Sequence, residues 1–229
     1  MSPQTRGTQT VFITGTDTGV GKTRVATGLL RRLRDDGHRV AGFKPVASGA
    51  DPTPEGLRND DALALQAASS PGLAYEAVNP YCFAPPIAPH LAAAEAGVEL
   101  SLEALSAAHR RLAQAHDRVV VEGAGGWLVP LTPRETFADW VSQQRWPVIL
   151  VVGMRLGCIN HALLSAEAIA RRTTLLGWVA NCLPPPQPQL RANIDTLCRL
   201  LPFPLLAEVP EGATEIEIAA RLAGSAALE

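Results

Sequence analysis

The run Gly15-Thr16-Asp17-Thr18-Gly19-Val20-Gly21-Lys22-Thr23 constrains this chain more than any other segment. It follows an apolar, β-branched stretch, Thr10–Gly15, and precedes a helical pattern, Lys22–Asp36, which is the setting a phosphate-binding loop requires. Gly19 and Gly21 let the backbone turn tightly and aim its N–H groups at phosphate oxygens. The start of the helix adds the positive end of its dipole. Lys22 can reach the β- and γ-phosphates of a nucleotide, and the Thr23 hydroxyl can ligate magnesium. One spacing departs from the usual pattern: Gly15 stands one residue too early, and Thr16 takes the place of the first glycine. The alternative is a glycine-rich turn with an ordinary surface lysine. The preceding strand, the Gly-Lys-Thr and the acids downstream all weigh against it.

The rest of the chain repeats the strand-then-helix rhythm. Strand patterns cover Thr10–Gly15, Arg39–Val46, Arg118–Glu122, Pro147–Gly153, Leu175–Asn181 and Leu205–Val209. Helical patterns cover Lys22–Asp36, Asp60–Ser69, Leu102–His116, Phe137–Gln144, Asn160–Arg172 and Gln189–Leu201. Apolar strands joined by crossover helices predict a parallel sheet buried on both faces. The fold class is therefore α/β, one P-loop NTPase domain with a mainly parallel sheet and helices on both faces. Its ligands belong at the carboxyl ends of the strands. Pro184–Pro188 reads as an irregular loop and Pro80–Pro89 as a long, stiff connection. Thr214 and Glu217 have capping-box spacing for a last short helix.

Composition narrows the partners. A net charge of -2 over 229 residues gives no electrostatic case for nucleic acid or an anionic membrane. The longest apolar run, Pro147 to Met154, is too short to span a bilayer. Met1 to Thr10 lacks the apolar core of a signal peptide. The four cysteines form no CxxC pair, so neither a disulfide framework nor a structural zinc site is expected. A reducing cytoplasm is the simplest home.

A phosphate loop needs a second, metal-side carboxylate, usually at the end of another strand. Glu122 ends Val119-Val120-Val121 and enters Gly123-Ala124-Gly125-Gly126, a buried strand opening into a glycine-rich loop. The bland alternative is a solvated loop acid. Asp60 and Asp61 begin a helix, where capping and dipole stabilisation are sufficient structural reasons for one of them, so metal binding stays open from position alone. Lys44, at the end of the second strand, is a solvated lysine or a cation brought to the phosphate end of the sheet.

Several separated stretches, in order, resemble the dethiobiotin synthetases. They are GTDTGVGKT (15–23), KPVASG (44–49), NDDALAL (59–65), VNPYCFAPPIAPHLAA (78–93), VEGAGGWLVPL (121–131), FADWV (137–141), PVILVVGMRLGCINHALL (147–164) and GWVANC (177–182). The resemblance implies an ATP-dependent ligase that joins CO2 to 7,8-diaminononanoate and closes a cyclic urea. One amine becomes a carbamate, which attacks the γ-phosphate; the second amine then attacks the activated carbonyl and expels phosphate. It also implies ATP and Mg2+, the latter on Thr23, Asp61 and Glu122, with Lys44 and Lys22 catalytic. ATP contacts would come from Thr18, Gly19, Val20, Gly21, Lys22, Thr23, Arg24, Asp61, Glu122, Gly123, Ala124 and Gly125. Asn181 would read the adenine edge, with Cys182 and Pro210 beside the base. Ser48, Gly157, Cys158 and Asn160 would hold the substrate, the last three across a homodimer interface that the active sites share.

Three positions depart from the family's pattern. Gly19 stands where some members carry an acid, Cys182 follows Asn181 where a polar residue could help hold the base, and the segment after Pro210 is short. Cys158 admits a thiol-nucleophile reading, because a helix N-terminus lowers a thiol pKa and His161 is three residues on. A small residue at a helix start explains it equally well. A rival class is the dimeric ATP-switch protein, whose second loop lysine is here Asp17; a related amidoligase or a simple kinase is the nearer enzymatic rival.

Overall fold

Six of the apolar stretches lie side by side as one parallel sheet in the computed structural model, which describes residues 9–223. The first half of the chain runs β1 (Gln9–Gly15), α1 (Lys22–Asp35), β2 (Val40–Phe43), β3 (Val46–Ser48), β4 (Asp51–Thr53), β5 (Gly56–Arg58), α2 (Asp60–Ala68), α3 (Tyr75–Val78), β6 (Tyr81–Phe83) and α4 (Pro89–Glu95). The second half runs α5 (Leu102–Ala115), β7 (Arg118–Gly126), α6 (Phe137–Gln144), β8 (Val148–Met154), α7 (Cys158–Ala170), β9 (Leu175–Cys182), α8 (Leu190–Leu200), β10 (Leu205–Val209) and α9 (Glu215–Ala223). The sheet order is β10-β9-β8-β1-β7-β2, with every neighbouring pair parallel.

Alternate residues of each strand feed two cores. Phe12, Val121, Leu150 and Trp178 face one side, against α5, α6, α7 and α8. Ile13, Val120, Ile149 and Val179 face the other, against α1, α2 and α9. Burial on both faces is why these strands are almost continuously apolar. Local signals agree with the packing. Thr136 and Asp139 form a reciprocal capping box on α6. Thr214 and Glu217 do the same before α9, the Thr214 N–H lying 2.8 Å from Glu217 Oε2.

Two expectations are corrected. Arg39–Val46 is not one strand: β2 stops at Phe43, and Val46–Ser48 leaves the central sheet to pair with β6. Pro45 has no N–H to give a ladder, and both backbone groups of Lys44 are taken by the segment before β6. The Pro80–Pro89 stretch, expected as a long, stiff connection, also carries regular structure. It contains β6, and its last proline is the first residue of α4, where a missing N–H costs nothing.

Candidate active site

The carboxyl ends of β1, β2 and β7 meet at one edge of the sheet. β1 ends at Gly15 and its loop delivers α1, whose N-cap Gly21 has φ 91°. A Cβ there would stand 2.1 Å from the Asn181 amide nitrogen, so only glycine lets the loop close over β9. Lys22 bends back and donates to the Asp17 carbonyl at 2.9 Å. Burial, followed by the nearby Lys44 charge, lowers its pKa to about 8.

Register brings the next pair together. Phe43 lies beside Val121, so Lys44, the first residue past β2, falls beside Glu122 in the interior of β7. Lys44 is 4% exposed and Glu122 is fully buried. The Lys44 ammonium donates to Glu122 Oε1 at 2.6 Å and to Asp61 Oδ2 at 2.9 Å. Asp61 is carried in by α2, whose N-cap is neither aspartate: Asn59 Oδ1 accepts from the Ala62 N–H at 3.2 Å. Asp60, in the same turn, is exposed. The Thr23 hydroxyl lies 2.6 Å from Asp61 Oδ1 and 3.0 Å from Glu122 Oε1, reaching both acids at once.

Charge is balanced inside this cluster. Burial alone would lower the Lys44 pKa, but the Glu122 and Asp61 carboxylates outweigh it and hold it above the ordinary lysine value. Burial also works against ionisation of Asp61; Lys44 and the Thr23 hydroxyl overcome it and keep that carboxyl below the usual range. Burial pushes Glu122 up, with Lys44 pulling the other way. The second oxygen of Glu122, Oε2, is buried with no hydrogen-bond partner. An orphaned, fully buried carboxylate oxygen is costly unless something else meets it.

A cleft of about 740 Å³ opens over the cluster. Thr18, Gly19, Gly21, Lys22, Thr23, Arg24, Lys44, Ser48, Asp61, Glu122, Ala124 and Gly125 line it, so most of the residues singled out from sequence converge. Sequence reasoning missed Asn59, Val129 and Pro86–Pro89 in its wall. They lie in stretches already conspicuous in sequence, but nothing in their residue types signals a ligand.

Other expected residues stand apart from the cleft. Asn181 is completely buried behind the loop, giving its amide N–H to the Val20 carbonyl at 2.8 Å and accepting from Arg24 at 3.1 Å. Arg24 also donates to the Pro210 and Ala213 carbonyls, both at 3.1 Å, tying the segment after β10 to α1. Val20, Gly123, Cys182 and Pro210 do not line the cleft, nor do Gly157, Cys158 and Asn160 of the same chain. Gly157 and Asn160 are exposed at the start of α7, whereas Cys158 is buried and its N–H is used by the Arg155 carbonyl at 3.0 Å. Burial raises the Cys158 thiol pKa, which is the wrong direction for a nucleophile. Asp17 pairs with the Arg155 guanidinium.

Comparison with known proteins fits this geometry. The protein-family description "AAA domain" matches residues 9–215. The "ATP-dependent dethiobiotin synthetase BioD 1" of Escherichia coli (strain K12) is 53% identical over 210 residues, covering 91% of this chain and 93% of that one. The "ATP-dependent dethiobiotin synthetase BioD" of Pseudomonas aeruginosa (strain UCBPP-PA14) is 56% identical over 215 residues, covering 92% and 94%. Among solved structures, the septum site-determining protein MinD complexed with Mg-ADP from Pyrococcus horikoshii OT3 is similar with a TM-score of 0.55 and 17% identity, over 95% of this chain and 90% of that one. At that identity the likeness concerns the fold alone.

Proposed function

The chain belongs to the ATP-dependent dethiobiotin synthetases, and from that premise we propose that it closes the cyclic urea of dethiobiotin from 7,8-diaminononanoate, CO2 and ATP in the cleft over Lys44. The observation that carries the reading is the convergence of Lys44, Asp61, Glu122 and Thr23 beside the phosphate loop, with Glu122 Oε2 left unpartnered.

The loop N–H groups and Lys22 hold the β- and γ-phosphates. Thr23, Asp61 and Glu122 hold Mg2+, and the donor set fits it: all three offer oxygen, and this ion takes one or two carboxylates together with phosphate oxygens. When bound, the ion neutralises charge that spreads over the phosphoryl oxygens during transfer. The substrate's carbamate and the γ-phosphate are both anions and must approach each other. The Lys44 ammonium between them offsets a repulsion that grows as water is excluded. Ser48, on the cleft wall, contacts the diamine end of the substrate. Asn181, Cys182 and Pro210 form the adenine side, with Arg24 holding the Pro210 segment in place.

The substrate's far carboxylate is held by Gly157, Cys158 and Asn160 of a second copy, in a homodimer with shared sites. Two observations support this. These residues lie outside their own chain's cleft, and Leu156 beside them is 94% exposed. We read the chain as one domain acting in the cytoplasm. Among the described residues no helix is long and apolar enough to cross a membrane.

The test is product analysis with the diamine, ATP, Mg2+ and carbon-13 bicarbonate. The expected result is a dethiobiotin mass carrying one labelled carbon, with one phosphate released per product. Phosphate release that ignores the diamine, or no labelled product, refutes the reading.

A further inference from the structure

The segment Val78–Tyr81, within one of the most recognisable stretches of the sequence, touches no part of the cleft, yet it grips the lysine at its centre. The Val78 carbonyl accepts from the Lys44 N–H at 2.8 Å, and Asn79 Nδ2 donates to the Lys44 carbonyl at 2.6 Å. Lys44 therefore has both backbone groups held, at the point where the chain leaves the central sheet and no strand ladder can hold it.

Asn79 is 3% exposed and spends its whole amide on this arrangement. Nδ2 also reaches the Tyr81 carbonyl at 3.0 Å, and Oδ1 accepts from the Tyr75 hydroxyl at 3.1 Å. That hydroxyl accepts in turn from the Asn59 N–H at 2.8 Å, and the Cys82 sulfur lies 3.5 Å away. Asn59 is the N-cap of α2, the helix that presents Asp61. The Lys44 side chain then closes the circuit on Asp61 at 2.9 Å. Lys44, Asn79, Tyr75, Asn59 and Asp61 thus form a ring, one arc of which is buried behind the cleft.

We propose that Tyr75 and Asn79 are positioning residues for the phosphoryl-transfer site, fixing the Lys44 ammonium relative to Asp61 through the ring. The proposal rests on the reading that Lys44 works between two substrate anions. There, a displacement on the order of 1 Å costs up to about a hundredfold in rate. A lysine has four rotatable side-chain bonds, so its backbone anchor must be fixed before its tip can be. Asn79 fixes that anchor, and the Tyr75 hydroxyl ties it to the helix carrying Asp61. Buried, fully satisfied polar networks of this kind are rigid because breaking any member strands another.

Tyr75→Phe tests this with the ring packing kept and only the hydroxyl removed. The expected result is a fall in kcat of about tenfold, with the KM for ATP within about twofold, since the phosphate loop is untouched. In a Lys44→Gln background the same change should cost nothing further, because its effect passes through Lys44. Nitrogen-15 lysine spectra of the ligand-free protein give an independent readout. The Lys44 ammonium, held by two carboxylates, should give a slowly exchanging signal that is lost in Tyr75→Phe. Asn79→Ser shortens the other end of the link and should show the same pattern, with urea midpoints confirming that both variants fold.

An unchanged kcat, or an equal loss with and without Lys44, overturns the proposal and leaves Tyr75 as packing only. The ammonium signal needs no substrate, so it judges the ring by itself: its loss in Tyr75→Phe supports the proposal and its persistence overturns it. Wild-type protein that lacks diamine-dependent turnover would fail the functional reading instead, with the ring still decided by the spectra.

Discussion

Replacing Lys44 by methionine keeps most of the side chain's volume and removes its charge from between Glu122 and Asp61. Glu122 is fully buried and its Oε1 lies 2.6 Å from the ammonium, so the variant leaves a buried carboxylate beside a second, partly buried one. Removing one partner of a buried pair costs roughly 3–5 kcal/mol. The protein can escape by protonating Glu122, and this sets a ceiling. From an ordinary value of 4.5, neutralising it at pH 7.5 costs three pH units at about 1.4 kcal/mol each, or ~4 kcal/mol. Lys44→Met should therefore lose about 3 kcal/mol in EDTA at pH 7.5, a fall in Tm of roughly 6–12 °C for a domain of this size. The sign with pH follows. A carboxyl with a raised folded pKa loses stability as pH rises through that pKa, so the deficit should shrink as the pH is lowered toward 5.5. Mg2+ should act in the opposite way to EDTA, restoring ~2.7 kcal/mol at a hundred times its Kd. It should stabilise the variant more than the wild type, in which Lys44 already neutralises the acids. The assay is thermal unfolding at pH 5.5, 6.5 and 7.5 with EDTA or Mg2+. A variant melting within a degree of wild type in EDTA at pH 7.5 refutes the argument; so does Mg2+ that stabilises the wild type more.

Gly21→Ala should weaken ATP binding about tenfold or more by calorimetry, because φ 91° is strained for alanine and its Cβ would strike Asn181 at 2.1 Å. Asp61→Asn should raise the Mg2+ concentration needed for half-maximal turnover several-fold, whereas Asp60→Asn should leave it unchanged, as titrations at saturating ATP will show. His109 is buried against Trp146 and bonded to Thr10, and burial, then Arg110, lowers its pKa from 6.5 to about 4. Its contribution is complete above pH 6.5 and falls as the pH drops toward 4, by about 2 kcal/mol at pH 5. Urea midpoints should follow that slope in the wild type and flatten in His109→Gln.

The six central strands were legible because each is an apolar, β-branched run buried on both faces, and the crossover helices between them carry the opposite periodicity. The short strands β3, β4, β5 and β6 were not. Each has three residues, too few for a period, and three contain or adjoin proline, which reads as a break. The candidate site divides along a similar line. Lys22 and Thr23 stand in a local motif whose chemistry follows from its spacing. Glu122 was visible as an acid following a buried apolar run, although β7 continues past it to Gly126 through glycines that read as a loop. Lys44 and Asp61 were ambiguous until the sheet order was known, because what singles them out is each other. Residues 44 and 122 become neighbours only when β2 lies beside β7, and Asp61 joins them only because Asn59, not an aspartate, takes the cap of α2. Asn79 and Tyr75 were invisible as site residues for the same reason: their partners are backbone groups brought close by the fold.

Those neighbour relations also explain how one lysine can serve two purposes. Before ligands bind, the cluster contains two ammonium groups, Lys22 and Lys44, and two carboxylates, Asp61 and Glu122, so it is neutral without borrowing charge from solvent. Lys44 is the counter-ion that makes burial of Glu122 tolerable. On the proposed chemistry, Thr23, Asp61 and Glu122 would hold a divalent cation, whose two positive charges would match the charges of the two acids and leave the Lys44 ammonium free to face substrate. A Lys44 ammonium so freed would stand in the cleft, already out of bulk water at 4% exposure, where two substrate anions must come together. On that reading, the free energy spent in the resting protein on burying Lys44 beside Glu122 would be recovered at the point of reaction. A lysine left in solvent would instead have to be desolvated at that moment, a cost of several kcal/mol per buried ion.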